Sequence, residues 1–148
     1  MRETFYLTGY TFSINAMYGP KKFKTAAAKN WEHTVLHQLN GGTNAAKFEK
    51  LRNAFDPNKH AFSVTIIVEY PVSEFYTKNG TISAHTQDVS NVEKPLIDLF
   101  FLPKYFAQQD PYGAPNMNVD DKYITRMQSI KRVGPKPTIT VSIKVINR

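Results

Sequence analysis

The feature that most restricts the fold is the stretch Phe62-Ser-Val-Thr-Ile-Ile-Val-Glu-Tyr70, in which Phe62, Val64, Ile66, Val68 and Tyr70 fall on one side. A period of two marks a strand with one face buried. Such a strand needs neighbouring strands to satisfy its backbone and a second layer to cover its apolar face. Further strands are predicted at Phe5-Tyr-Leu-Thr-Gly-Tyr-Thr-Phe12, rich in aromatic and β-branched residues, and at about 121–131 and 137–146. In the last of these, Ile139, Val141, Ile143 and Val145 face one way, and Val133-Gly-Pro-Lys-Pro137 forms the preceding turn. Residues 74–84 read as a hairpin or short strand pair around Lys78-Asn79-Gly80, a type I′ signal.

The covering layer is predicted to be helical. After Thr25, an N-cap residue type, Ala28, Trp31, Val35 and Leu39 recur at spacings of three and four until Asn40-Gly41-Gly42. A shorter helix spans about 44–55 and stops at Asp56-Pro57. A third runs from about 90 to 101 with Val92, Leu96 and Leu99 on one side. Residues 13–24 lack a period and read as a loop, and 103–119 as a long irregular link. The order predicts an α+β fold, a mixed β-sheet with helices packed on one face, in a single domain over 1–148.

Several function classes are excluded by what the chain is made of. It has no cysteine, hence no disulfide framework, no thiolate zinc site and no cysteine nucleophile, which fits a reducing compartment. With no apolar run near the roughly 20 residues of a membrane span and no signal-peptide pattern, a soluble cytoplasmic protein is expected. There is no G-x-S-x-G and no P-loop. His33 and His37 form a helical i, i+4 pair without a third ligand and read as surface residues. Trp31 and the tyrosines read as core.

Charge points toward a partner. Nineteen Lys and Arg against twelve Asp and Glu give a net +7, which favours polyanions. Lys21, Lys22, Lys24 and Lys29 cluster beside Tyr18 and Phe23, whereas Asp88, Glu93, Asp98, Asp110, Asp120 and Asp121 crowd one stretch. A basic chain that gathers its carboxylates suggests a cation site. On a helix, Asn91, Lys94 and Asp98 share a face, with Asp88 just before it and Asp120-Asp121 opening the next strand. Carboxylates converging from separate segments suit Mg²⁺, and a nearby lysine suits charge building on a phosphorane. Plainer readings stand beside this one. Ser90 and Glu93 fit a capping box, Lys94 and Asp98 an ordinary i, i+4 pair, and Asp120-Asp121 a turn cap.

The run Asp88-Val-Ser-Asn91-x-x-Lys94-x-x-x-Asp98, with Asp120-Asp121 downstream, resembles the RusA family of Holliday junction resolvases, common in phages and prophages. Ser13-Ile-Asn15, Tyr18 and Lys21-Lys-Phe-Lys-Thr25 resemble that family's early segment. The resemblance implies that Asp88 is a metal ligand, that Asn91 orients the site, that Lys94 is the catalytic lysine and that Asp121 is the essential downstream aspartate, with Asp120 as a further ligand. Ser90 stands where the family has its second aspartate, so its hydroxyl or a water it holds would complete the shell. The stretch between Asp98 and Asp120 is also longer than the family's usual one. The implied activity is Mg²⁺-dependent (or Mn²⁺-dependent) endonucleolytic resolution of four-way DNA junctions by paired nicks. The implied partners are DNA and a second copy in a homodimer, with no small-molecule cofactor and no membrane. Lys21, Lys22, Lys24 and Lys29 are the expected phosphate contacts. The alternatives are a catalytically impaired protein that binds branched DNA, and a structural or interaction protein whose charge is incidental.

Overall fold

The computed structural model describes residues 1–19, 23–84, 86, 88–106 and 113–148. Four strands form one sheet: β1 (Arg2–Thr8), β2 (His60–Tyr70), β3 (Ile124–Val133) and β4 (Thr138–Asn147). Their order is β1-β4-β2-β3, with β2 and β3 parallel and the other pairs antiparallel. Four helices accompany them: α1 (Ala26–Leu39), α2 (Asn44–Ala54), the one-turn α3 (Val72–Phe75) and α4 (Glu93–Phe101). The α+β class, the mixed sheet and the one-sided helical layer are as expected. No helix among the described residues is long and apolar enough to cross a membrane.

Alternation in β2 is realised: Phe62, Val64, Ile66, Val68 and Tyr70 are buried, and the residues between them are half-buried. Phe5 and Leu7 of β1 and Ile139, Val141 and Ile143 of β4 face the same way. Against them pack Phe48 of α2, stacked on Phe5 at 4.3 Å, and Phe100 and Phe101 of α4, edge-on to Phe5 and Phe62. Helix α1 begins where expected, with Thr25 Oγ1 accepting from the Ala28 amide at 3.1 Å. Helix α4 is buried nearly all round, so its few polar side chains stand out against an apolar body. Its C-terminal carbonyls are held by the buried Asn116, whose Nδ2 donates to Leu99 and Leu102.

Five expectations need correction. The first strand lies earlier than 5–12, because Gly9 at φ +112° turns the chain away after Thr8. The loop at Lys78-Asn79-Gly80 is not type I′, since only Gly80 has a positive φ there and the pairing is a single bridge between Tyr76 and Ile82. Asp121 does not open a strand but a 3₁₀ turn, Asp121–Tyr123, from which β3 departs. Ser90 and Glu93 make no capping box: Ser90 lies inside a 3₁₀ turn, Val89–Val92, and α4 begins only after Val92 without a side-chain cap. Finally, the expected turn over 133–137 does not join neighbouring strands, because β2 lies between β3 and β4. The 134–137 link crosses the end of β2, where the Gly134 amide donates to Tyr70. A Cβ on Gly134 would sit 2.8 Å from Glu69 Cβ, so the crossing needs glycine.

Candidate active site

Lys94 lies in the first turn of α4 and Asp98 one turn later, so their side chains meet on the helix surface. Lys94 Nζ is 2.7 Å from Asp98 Oδ1 and donates to Asp121 Oδ2 at 3.2 Å, where the 3₁₀ turn brings Asp121 up to the helix. The Asp98 oxygen is shielded from solvent, and the Lys94 ammonium at 2.7 Å is its charge partner. Asp98 beside it raises the Lys94 ammonium above the ordinary lysine pKa; partial burial opposes this, and Asp121 adds to it. Lys94 is therefore firmly cationic at neutral pH. It cannot serve as a general base.

Lys94 and Asp121 line a cleft of about 280 Å³ between α4 and the start of β3, walled also by Glu93, Ile97, Ile124 and Met127. Glu93 is fixed on β3, accepting from Ser129 Oγ at 2.8 Å, so the helix is tied to the edge strand beside the cleft. The cleft thus sets an apolar wall of Ile97, Ile124 and Met127 beside a charged mouth of Glu93, Lys94 and Asp121.

The structure unites only part of the expected constellation. Lys94 and Asp121 meet, and Asp98 joins them as the nearest carboxylate, a role its i, i+4 spacing from Lys94 foreshadowed. Asp120 is instead the cap of the 3₁₀ turn, with Oδ1 accepting from the Lys122 amide at 2.8 Å. Asp88 and Ser90 are exposed on the turn before α4 and Asn91 is half-buried there, with its amide donating to the Asp88 carbonyl at 3.0 Å. Among the described residues, no three His, Asp or Glu side chains are grouped to hold a metal ion. What stands here is two carboxylates around one cation, and that cation is Lys94 itself.

The basic segment divides. Lys21 and Lys22 lie outside the described residues. Lys29 is exposed on α1. Lys24 is not a free surface cation, contrary to expectation. Its ammonium is 2.7 Å from Glu32 Oε2 and donates to Tyr105 Oη, and Tyr105 donates to the same Glu32 oxygen at 2.8 Å. Side-chain exposure is only 15% for Lys24 and 7% for Glu32. Glu32 falls on the inward side of α1 and Tyr105 on the turn after α4, so the three tie the loop before α1 to both helices. A glutamate on a helical stripe beside Ala28 and Val35 was the available signal for a buried partner.

No protein-family model matches the chain, and no curated protein matches it. What the site can do therefore rests on its own geometry.

Proposed function

We propose that the protein is a Mg²⁺-dependent, structure-specific endodeoxyribonuclease that resolves four-way DNA junctions by paired nicks as a homodimer. One observation carries the reading: an obligate cation, Lys94, is pinned between carboxylates from two separate segments at the mouth of a cleft, in a chain of net charge +7. Such a cation neutralises charge that builds on a phosphoryl oxygen. The carboxylate oxygens of Asp98 and Asp121 suit Mg²⁺, which keeps several waters and often uses one or two carboxylates together with substrate phosphates. When bound, Mg²⁺ would supply Lewis acidity and a template for in-line displacement. Asp98 and Asp121 would hold the ion, with Asp88 and Asp120 on the adjoining turns as further donors. Lys94, released from that pair, would turn to the scissile phosphate. The exposed Asp88 and Ser90 and the small preassembled donor set favour, as second reading, a protein that binds branched DNA without cutting it.

The test is a labelled four-way junction incubated with and without Mg²⁺, beside a linear duplex of the same sequence. Mg²⁺-dependent paired nicks in the junction alone support the resolvase. Tight junction binding without nicks supports the impaired protein, and no preference for the junction sinks both.

A further inference from the structure

Among the described residues, α1, α2 and α4 pack their apolar side chains on one face of the sheet, and pairing registers the side chains of the other, open face into rows. One row runs across all four strands as Arg2, Lys144, Ser63 and Arg126. The next is Thr4, Ser142, Thr65 and Gln128, and the 3.3 Å contact between Thr4 Oγ1 and Ser142 Oγ places those two hydroxyls together. In the row nearest the other end, Glu69 accepts from Thr138 Oγ1 at 2.9 Å and from Arg132 Nε at 3.1 Å, so that acid is neutralised where it stands. Strands lie about 4.8 Å apart, so the cationic row spans roughly 14 Å.

We propose that this open face carries the DNA, with Arg2, Lys144 and Arg126 meeting the phosphodiester backbone. The proposal deepens the junction-endonuclease reading and rests on it for the choice of polyanion. Arg2 and Lys144 are direct cross-strand partners, a like-charge pairing that destabilises a sheet. Neither they nor Arg126 has an ion-pair partner among the described residues. An ordinary solvated face mixes both signs; this row breaks that rule, and a phosphate chain would relieve the repulsion. Hydroxyl and amide groups of the adjoining row are neutral donors suited to phosphate oxygens. The row also leads to the right place. It ends at Arg126 on the edge strand β3, two residues beyond Ile124, which walls the Lys94 cleft on the opposite face. A backbone following the row need only turn over one strand to reach Lys94. A second copy packed face to face would instead set cation row against cation row.

The experiment compares two triple variants of equal net charge: Arg2→Gln/Lys144→Gln/Arg126→Gln on the face, and Lys50→Gln/Lys78→Gln/Lys136→Gln on exposed positions elsewhere. Fluorescence anisotropy of a fluorescein-labelled junction is followed over a salt series, alongside junction cleavage, thermal melting and sedimentation equilibrium. The face variant should bind about tenfold more weakly at low salt. It should also flatten the slope of log K against log salt by about 0.9 for each phosphate no longer neutralised, while the control stays near wild type. Its melting temperature should hold or rise. Equal losses in both variants would reduce the effect to net charge and overturn the proposal, as would wild-type binding by the face variant. A drop from dimer to monomer in the face variant would also overturn it, by making the face an interface between copies. Unequal salt slopes in a wild-type protein that never cuts would keep the surface and remove the nuclease. Cutting with equal slopes would do the reverse.

Discussion

Two lysines in this molecule are each clasped by two partners, and they are put to opposite uses. Lys24 is enclosed: one carboxylate and one phenol hold it, with side-chain exposures of 15% for the lysine and 7% for Glu32. Lys94 is 55% exposed and meets two carboxylates, Asp98 at 17% and Asp121 at 32%. In the first cluster one cation faces one carboxylate and the charges balance, although these residues border a cleft of about 280 Å³ together with Lys29, His33 and Lys104. In the second, two anions share one cation beside an open cleft, leaving a net negative charge that a second cation would satisfy. Charge balance and the exposure of the lysine, not residue type or the presence of a cleft, separate the two clusters.

That contrast is sharpest in the variants. Lys94→Met should lower junction cleavage by about a thousandfold, the scale on which a missing charge-stabilising donor acts, while DNA binding measured by anisotropy persists. Lys24→Ala should lower folding stability by about 3 kcal/mol in urea unfolding, because Glu32 is left buried without its cation. If Lys24→Ala costs no more stability than Lys94→Met, the contrast collapses. Lys24→Met combined with Glu32→Leu should recover most of that stability, as apolar side chains replace a buried pair. Tyr105→Phe removes one hydroxyl from the cluster and should cost about 1 kcal/mol.

Alkaline titration separates the clusters in another way. Burial, chiefly, pushes the Tyr105 phenol up to about 12, with Glu32 adding to the shift and Lys24 opposing it. For Lys24, burial works downward but is outweighed by its bonds to Glu32 and Tyr105, which raise it above the ordinary lysine value. A group whose folded pKa is raised lends stability fully below its unfolded pKa and loses it as pH climbs through the folded one. Stability should therefore fall from about pH 10 toward 12, and much less in Lys24→Met/Glu32→Leu/Tyr105→Phe, as followed by circular dichroism across pH. The smallest effect should be the stability of Lys94→Met, about 1 kcal/mol and below that of Lys24→Ala, because the lysine end of the pair is 55% exposed while Asp98 is mostly covered.

What was legible in the chain was local. The period of two in β2, the Thr25 cap, the stop at Asp56-Pro57 and the i, i+4 meeting of Lys94 with Asp98 all follow from neighbours within a few residues. What was not legible depended on distant partners. Nothing near Lys24 in sequence announces Tyr105, so a loop lysine amid other lysines read as surface. The strand order escaped for the same reason: a short Gly-Pro link between two strands resembles a hairpin, and only the approach of Gly134 to Glu69 shows the chain stepping across β2. Within the candidate site, adjacency in sequence misled as well. Asp120 and Asp121 are neighbours, yet one caps a turn and the other reaches Lys94.

The position of β4 has a temporal consequence. Of the four strands of this sheet, a ribosome makes β1 first, yet the strand it pairs with, Thr138–Asn147, is the last of the four. The same strand supplies the antiparallel neighbour of β2, and the parallel one, β3, also arrives late. Until β3 and β4 are made, the apolar sides of Phe5, Leu7 and β2 can be covered only by helices, with their backbone edges unpaired. Closing loops of this length before any sheet contact forms slows folding and leaves sticky intermediates. Insertion of β4 between two waiting strands is thus the event that completes the sheet, and a nascent chain arrested before residue 138 should remain protease-sensitive along β1 and β2.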